Sequence, residues 1–201
     1  MRKHLVIGIL SASVLAYQLV IMQVLSTAQW HHFGFMIISV ALLGFGTAGT
    51  YLALAKKKKI DKWKVQYPWL ILMTGICMLI VLPLTQQTVI RFDSYLVFIS
   101  PLEKVKLLLN YLLFFLPFFT GALAIGIYFI MHRNDIGKAY FVNLVGSAIG
   151  SAFIVWVMWW FKPENISTGI GLMVLTAALL DMELSGLIVR HPGNHFSTSE
   201  E

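Results

Sequence analysis

The polar residues inside the long apolar stretches of this 201-residue chain are the first candidates for chemistry. Ionisable side chains are costly in a membrane span, and those that occur there usually mark an ion, proton or substrate path. Asp181 and Glu183, near the end of the last apolar stretch, are the acidic candidates. Two interpretations stay open: a pair of carboxylates at the membrane interface, or a proton- or cation-linked transport site. The second lacks an intramembrane Lys or Arg as a partner.

The histidines and the single cysteine do not form a cofactor pattern. His31 and His32 are adjacent, so on a helix their side chains point about 100° apart and cannot face one ligand. The other four histidines lie near the ends of the apolar stretches or in the tail: His4, His132, His191 and His195. A lone Cys77 provides neither a disulfide framework nor a thiolate metal site. The sequence therefore predicts no catalytic residue, no metal and no cofactor in this chain.

Six apolar stretches, which fill most of the chain, must position these residues. Hydrophobic residues are 58% of the sequence and charged residues only 12%, against about 25% charged in soluble domains. A helix needs about 20 mostly apolar residues to cross a bilayer, whereas strands would show short alternating segments. The sequence predicts an all-α, polytopic transmembrane bundle over residues 1–190 and a polar cytoplasmic tail at 191–201. The spans are expected near residues 4–28, 33–55, 67–90, 107–131, 139–161 and 166–188.

The distribution of basic residues predicts the orientation of the chain. Of the 15 Lys and Arg residues, eleven fall on one side of the six spans and four on the other. Because cytoplasmic loops are enriched in Lys and Arg, we expect both termini in the cytoplasm of a bacterium, with the chain in its inner (cytoplasmic) membrane. The cluster that begins with Lys56, Lys57, Lys58 and Lys59 also suits anionic lipid headgroups. Basic residues confined to membrane-flanking loops do not indicate a nucleic-acid partner.

Two spans carry stripes of small residues that predict close helix packing. Gly46 shares a face with Gly49 in the second span, and Asn143, Gly146 and Gly150 recur at spacings of three and four in the fifth. Small residues let two backbones approach closely in lipid. Core packing is the plain interpretation of both stripes, and a groove for a lipid or small ligand is the alternative.

Two further features concern bending and closure. Pro117 lies midway along the fourth span, where proline removes a backbone hydrogen bond and bends a helix; a hinge for motion is the alternative. The segment 91–106 mixes apolar and charged residues, a pattern typical of a short amphipathic piece on the membrane surface. A lid over a cavity is the alternative for that segment.

Two sequence patterns resemble a known family. Residues 9–55, which begin ILSASVLAYQLVIMQ, are similar to the first hairpin of the membrane-bound spermidine synthase-like proteins. Residues 117–153, with a Pro-Phe-Phe start and GKAYFVNLVGSAIG at 137–150, are similar to a later stretch of the same module. In that family, a polytopic membrane region precedes a cytoplasmic Rossmann-like domain of the aminopropyltransferase type. Residues 1–201 contain no glycine-rich nucleotide-binding loop, so the resemblance implies the membrane module without the activity.

Three positions depart from that family's pattern. Gln18 stands where Glu is usual, Gln23 where Arg is usual, and Asn143 where Asp is usual. Uncharged amides can still bridge helices, but they cannot relay protons or balance an ion. We expect Gln18 or Gln23 to approach Asn143 between the first and fifth spans.

These observations favour a membrane scaffold or anchor subunit without catalytic activity of its own. Its expected partners are membrane lipids and either a soluble enzyme that it recruits or a larger membrane complex that it joins. The alternative is a small transporter or lipid-handling protein, which would depend on Pro117, Asp181, Glu183 and a lid at 91–106.

Overall fold

The fold is taken from a computed structural model that describes residues 2–29, 31–55, 57–88 and 90–189. Within these ranges it leaves out the side chains of residues 2, 3, 31, 32, 57–61, 64, 65, 184, 185 and 187–189. Lys56 and the predicted tail at 191–201 lie outside the described residues.

The described chain is all-α, as predicted, with 87% of residues helical and no strand. Its helices are α1 (Arg2–Ala28), α2 (His31–Leu54), α3 (Lys57–Thr85), α4 (Pro101–Met131), α5 (Ile136–Val157) and α6 (Pro163–Val189). A single turn of 3-10 helix, Arg133–Asp135, joins α4 to α5. Each of the six helices contains a stretch long and apolar enough to cross a membrane. The prediction of six membrane-length helices is therefore confirmed.

Two helices begin well before the start that the apolar pattern indicates. α3 begins at Lys57, so the lysine-rich segment before residue 67 is helical and not the loop that we expected. Lysine is a good helix former, and the helical backbone hydrogen bonds continue beyond the apolar part of the helix. α4 begins at Pro101 and not near residue 107, since proline is well suited to the first turn of a helix. At their first residues, α3 and α4 therefore extend beyond the apolar runs that they contain.

α1 is the central helix of the bundle. It packs against α2, α4, α5 and α6, while α3 packs against α4 and α6, and α2 packs mainly against α4. Its fully buried side chains recur at helical spacing, at Ile7, Leu10, Val14, Tyr17 and Ile21. Because several helices surround α1, its polar residues Ser11 and Ser13 are buried within the bundle.

α5 is the most peripheral helix. It packs mainly against α1, and its only buried residues are Ala139 and Ile154. Only 6% of its membrane-length stretch is buried, compared with 56% for α1. Most of the circumference of α5 is therefore free to face lipid or another protein.

The two ends of the bundle differ in chemistry. Gly75 of α3 lies against Leu175 of α6, and Leu79 lies against Gly171, so these two helices run antiparallel. We call one end the lysine end, formed by residues 2–4, 57–63 and 132–138. We call the other the loop end, formed by residues 28–29, 86–88, 90–100 and 158–162. Each end holds a group of polar side chains.

Candidate functional site

Five titratable side chains from four helices meet at the lysine end. They are His4 of α1, Tyr67 of α3, Tyr128 of α4, His132 directly after α4, and Asp181 of α6, and we call them the lysine-end cluster. The hydroxyl of Tyr128 is 2.8 Å from Nδ1 of His4. The ring of Tyr128 stacks on that of His132 with a centroid separation of 4.2 Å. The hydrogen bond therefore joins α4 to α1, and the ring contact adds His132 to the same group.

The regular geometry of α4 positions two of these residues. Tyr128 and His132 are four residues apart, so they lie on the same face of the helix. Nδ1 of His132 is 3.1 Å from the backbone carbonyl oxygen of Tyr128. The His132 ring is also 5.7 Å from that of His4, so the two histidines belong to one group.

Asp181 adds a carboxylate to this group. It is only 4% exposed, and its charge interacts with the hydroxyls of both Tyr67 and Tyr128. The hydroxyl of Tyr67 is buried and has no hydrogen-bond partner among the described residues. A buried carboxylate beside two tyrosines, one of which contacts a histidine, is an arrangement that can hold a proton or a cation.

The two acidic candidates do not form a pair. Asp181 lies inside the bundle, whereas Glu183 is exposed, because two residues of a helix separate their side chains by about 200°. Asp181 is therefore buried within the bundle, and both interpretations of the two acids, interfacial carboxylates and a transport site, stay predictions. The neighbours of Asp181 include Tyr67 of α3 and Tyr128 of α4, which sequence spacing cannot reveal. Tyr67 could have been noticed, but a tyrosine beside Pro68 and Trp69 at a span end also fits an interfacial aromatic belt.

The loop end contains a polar cavity of about 540 Å³. It lies between the end of α1, the segment that connects α3 to α4, and the start of α4. Its lining includes four charged side chains and several amides and hydroxyls: Gln29, Gln86, Thr88, Arg91, Asp93, Ser94, Tyr95, Glu103 and Lys106. In segment 91–106, the part up to residue 100 is a turn-rich connection that lies beside this cavity. The two interpretations of the segment, a piece on the membrane surface and a lid, both stay open.

The contact between α1 and α5 is built on small residues. A Cβ atom added to Gly146 would lie 2.5 Å from the carbonyl oxygen of Gly8, and one added to Gly150 would lie 2.6 Å from Cα of Ala12. Asn143 lies in the same contact, where its Oδ1 is 2.6 Å from Oγ of Ser11. We call this contact the α1–α5 seam.

The expected glutamine partners are not in the seam. Asn143 pairs with Ser11 and not with Gln18 or Gln23. Gln18 lies seven residues beyond Ser11, which is about 10 Å further along α1, and Gln23 is exposed. The prediction failed because it assumed that the unusual polar positions would pair with one another, whereas the parallel register of α1 and α5 brings a serine to Asn143.

Gly46 does not contact another helix. A Cβ atom added there, or to Gly49, would meet nothing within 4 Å. Gly44 is the close-contact glycine of α2, since a Cβ atom at that position would lie 2.8 Å from Cβ of Phe118. Phe118 follows Pro117, which is buried within α4. The small-residue stripe therefore predicted the right helix but the wrong face.

Beside the seam, α1, α5 and α6 enclose an apolar groove of about 360 Å³. Its floor includes Ala12, Ala16 and Gly150, and Ser13 is also in the lining. The hydroxyl of Ser13 is buried and has no hydrogen-bond partner among the described residues. The groove follows from the fact that α5 and α6 both pack on α1 and make little contact with each other.

The remaining predicted residues are the lysines near the start of α3. The backbone of Lys57, Lys58 and Lys59 is helical, but their side chains lie outside the described residues, as does all of Lys56. Among the described residues, no three His, Cys, Asp or Glu side chains are grouped in a way that could hold a metal ion.

Comparison with known proteins gives no assignment. No protein-family model matches the sequence, and no curated protein and no solved structure is significantly similar to it. The functional argument therefore depends on the helices, contacts and cavities described above.

Proposed function

We propose that this protein is a membrane scaffold or anchor subunit, which recruits a soluble enzyme or joins a larger membrane complex. The observation that carries the proposal is the position of α5. This helix is attached mainly to α1, through a glycine contact, and most of its residues are exposed. Side chains such as Phe141, Ile149 and Phe153 face outward from it. A helix held on one side is suited to contact a partner on the other.

The chemistry of the membrane supports this use of α5. Lipid chains are as apolar as leucine side chains, so association of helices in a bilayer depends on close packing and hydrogen bonds and not on hydrophobicity. The seam supplies both, through Gly146, Gly150 and Asn143. α5 can therefore remain attached to α1 while its outer face is covered by a partner helix.

The resemblance to spermidine synthase-like membrane modules suggests the kind of partner. In that family the membrane region is joined to a soluble nucleotide-fold enzyme in the cytoplasm. We propose that the partner of this protein also lies on the cytoplasmic side of the membrane. Both termini would then lie in the cytoplasm of a bacterium, because eleven of the 15 basic residues are on that side of the spans.

Photocrosslinking from α5 tests the scaffold proposal. A photocrosslinking amino acid is placed at Ile149, which is 64% exposed on α5, or at Leu42, which is 67% exposed on α2 and serves as the matched control. After illumination of native membranes, the tagged protein is purified and its adducts are identified by mass spectrometry. We expect a protein adduct from Ile149 and not from Leu42. Lipid adducts alone from both positions would reject the proposal.

A labelling experiment tests the orientation separately. In a Cys77→Ala background, Lys62→Cys at the lysine end and Tyr95→Cys at the loop end are exposed to a membrane-impermeant maleimide on intact cells. We expect Tyr95→Cys to be labelled and Lys62→Cys to react only after the cells are opened. The reverse pattern would place the termini outside.

The second candidate function is proton- or cation-linked transport, and Asp181 is the observation that favours it. A carboxylate buried beside Tyr67 and Tyr128 is costly for a protein that only anchors a partner. The test measures acidification inside proteoliposomes loaded with a pH-sensitive dye, for the parent, Asp181→Asn and the control Glu183→Gln. Transport predicts that only Asp181→Asn loses the flux. Equal signals from the parent and from protein-free vesicles would exclude it.

A further inference from the structure

The loop-end cavity holds side chains of both charges. Arg91 and Asp93 lie two residues apart in the connection between α3 and α4, and Glu103 and Lys106 lie across the cavity on α4. Its volume of about 540 Å³ is within the roughly 300–1,000 Å³ of small-molecule sites. We infer that this cavity binds a small ligand that carries one anionic group and one ammonium group.

Hydrogen bonds from α1 and α4 hold the cavity wall in place. Nε2 of Gln29 donates to the carbonyl oxygen of Phe92 at 3.0 Å, and Nδ2 of Asn110 donates to the carbonyl oxygen of Ile90 at 2.9 Å. Oε2 of Glu103 accepts from the backbone N–H of Asp93 at 2.8 Å. The connection is thus fixed at three positions before any ligand arrives, which lowers the entropic cost of binding.

Two of the four charges are available to a ligand. Glu103 is already paired with Lys106 at 2.8 Å. In the described part of the chain, no ion pair joins Arg91 or Asp93 to another side chain, and Asp93 accepts one bond through Oδ1 from the backbone N–H of Tyr95. The planar guanidinium of Arg91 suits a carboxylate or phosphate, and Oδ2 of Asp93 suits an ammonium group.

The surroundings of the cavity place it at the membrane surface. Tyr95, Leu96, Phe98 and Ile99 follow Asp93 in a turn, and all four are exposed. Exposed aromatic and aliphatic side chains beside charged ones are typical of the boundary between headgroups and acyl chains. Two sources of the same chemistry are available at that depth: the headgroup of a zwitterionic phospholipid such as phosphatidylethanolamine, and a free solute of the amino-acid class. This inference is independent of the scaffold proposal.

The experiment compares two probes on the purified protein in mild detergent. Native mass spectrometry measures retained phosphatidylethanolamine, with phosphatidylglycerol as the anionic comparison lipid. Isothermal titration calorimetry measures binding of glycine and of glycerophosphoethanolamine. The variants are Arg91→Gln and Asp93→Asn, and the matched controls are Lys104→Gln and Glu164→Gln, which remove exposed charges that do not line the cavity.

We expect Arg91→Gln and Asp93→Asn each to weaken binding about tenfold or more, because each removes a charge-assisted hydrogen bond. The two controls should bind as the parent does. Selective retention of phosphatidylethanolamine would identify the lipid headgroup as the source, and binding of the soluble probes alone would identify a free solute. The inference is overturned if neither probe binds the parent, or if Arg91→Gln and Asp93→Asn, with unfolding temperatures equal to the parent's, bind as well as it does.

Discussion

Ser11 and Asn143 meet across the α1–α5 seam, with Oγ of Ser11 2.6 Å from Oδ1 of Asn143. The same hydroxyl lies 2.8 Å from the carbonyl oxygen of Ile7, and Oγ of Ser147 lies 3.5 Å from the carbonyl oxygen of Ser11. Polar groups of the two helices therefore gather at one level of the bundle. An uncharged amide in this position bridges the helices without the desolvation cost of an ion.

A pair of serine variants tests the energetic role of this bridge. Ser11→Ala removes the contact with Asn143 and should destabilise the protein by about 0.6–1.7 kcal/mol, as is typical of interhelical hydrogen bonds in membranes. Ser13→Ala, two residues away, removes a buried hydroxyl that has no described partner and should be neutral or stabilising. The measurement is unfolding in mixed micelles with increasing SDS. Equal losses in both variants would show that Asn143 is not held by Ser11.

The glycines of the seam should tolerate no side chain. Gly146→Ala places Cβ against the backbone of Gly8, so α5 must shift, at a cost of about 1–3 kcal/mol. Gly46→Ala is the matched control, since a Cβ atom there meets nothing and alanine is the better helix former. We expect a lower unfolding temperature in detergent for Gly146→Ala and an equal or higher one for Gly46→Ala. A loss of similar size in both variants would contradict the seam geometry.

The hydrogen bond between Tyr128 and His4 should stabilise the lysine end. Tyr128→Phe keeps the ring that stacks on His132 but removes the hydroxyl, which should cost about 1 kcal/mol. Tyr140→Phe removes a hydroxyl from an exposed tyrosine of α5 and should cost almost nothing. The same unfolding assay measures both variants. If Tyr128→Phe is as stable as the parent, the contact with His4 contributes nothing to the bundle.

Glu103 should control the order of the connection between α3 and α4. Glu103→Ala removes the acceptor of the Asp93 N–H, and hydrogen bonds to charged groups are stronger than those between neutral groups. Hydrogen exchange at the Asp93 amide should therefore be roughly ten- to a hundredfold faster than in the parent. Glu164→Ala, an exposed acid at the start of α6, should leave that amide unchanged. Unaltered exchange in Glu103→Ala would mean that the connection is held elsewhere.

Residue types alone predicted only part of the lysine-end cluster. Asp181 stood out because it is acidic in an apolar run, but Tyr67, Tyr128, His4 and His132 are individually ordinary near the ends of spans. Their significance comes from helix packing, which brings Tyr67 and Tyr128 close to Asp181. The two histidines join the group through Tyr128.

The sequence by itself determined the all-α class and the six membrane-length helices. The length of an apolar stretch is a property of consecutive residues. A stretch that crosses lipid must be long and apolar enough, and as a helix it pairs its own backbone groups. The tertiary structure alone decided which small and polar residues meet. Gly46 and Gly146 occur in similar stripes, yet one faces open space and the other the backbone of Gly8. That difference depends on the register and rotation of a neighbouring helix more than 100 residues away in the chain, which no local pattern encodes.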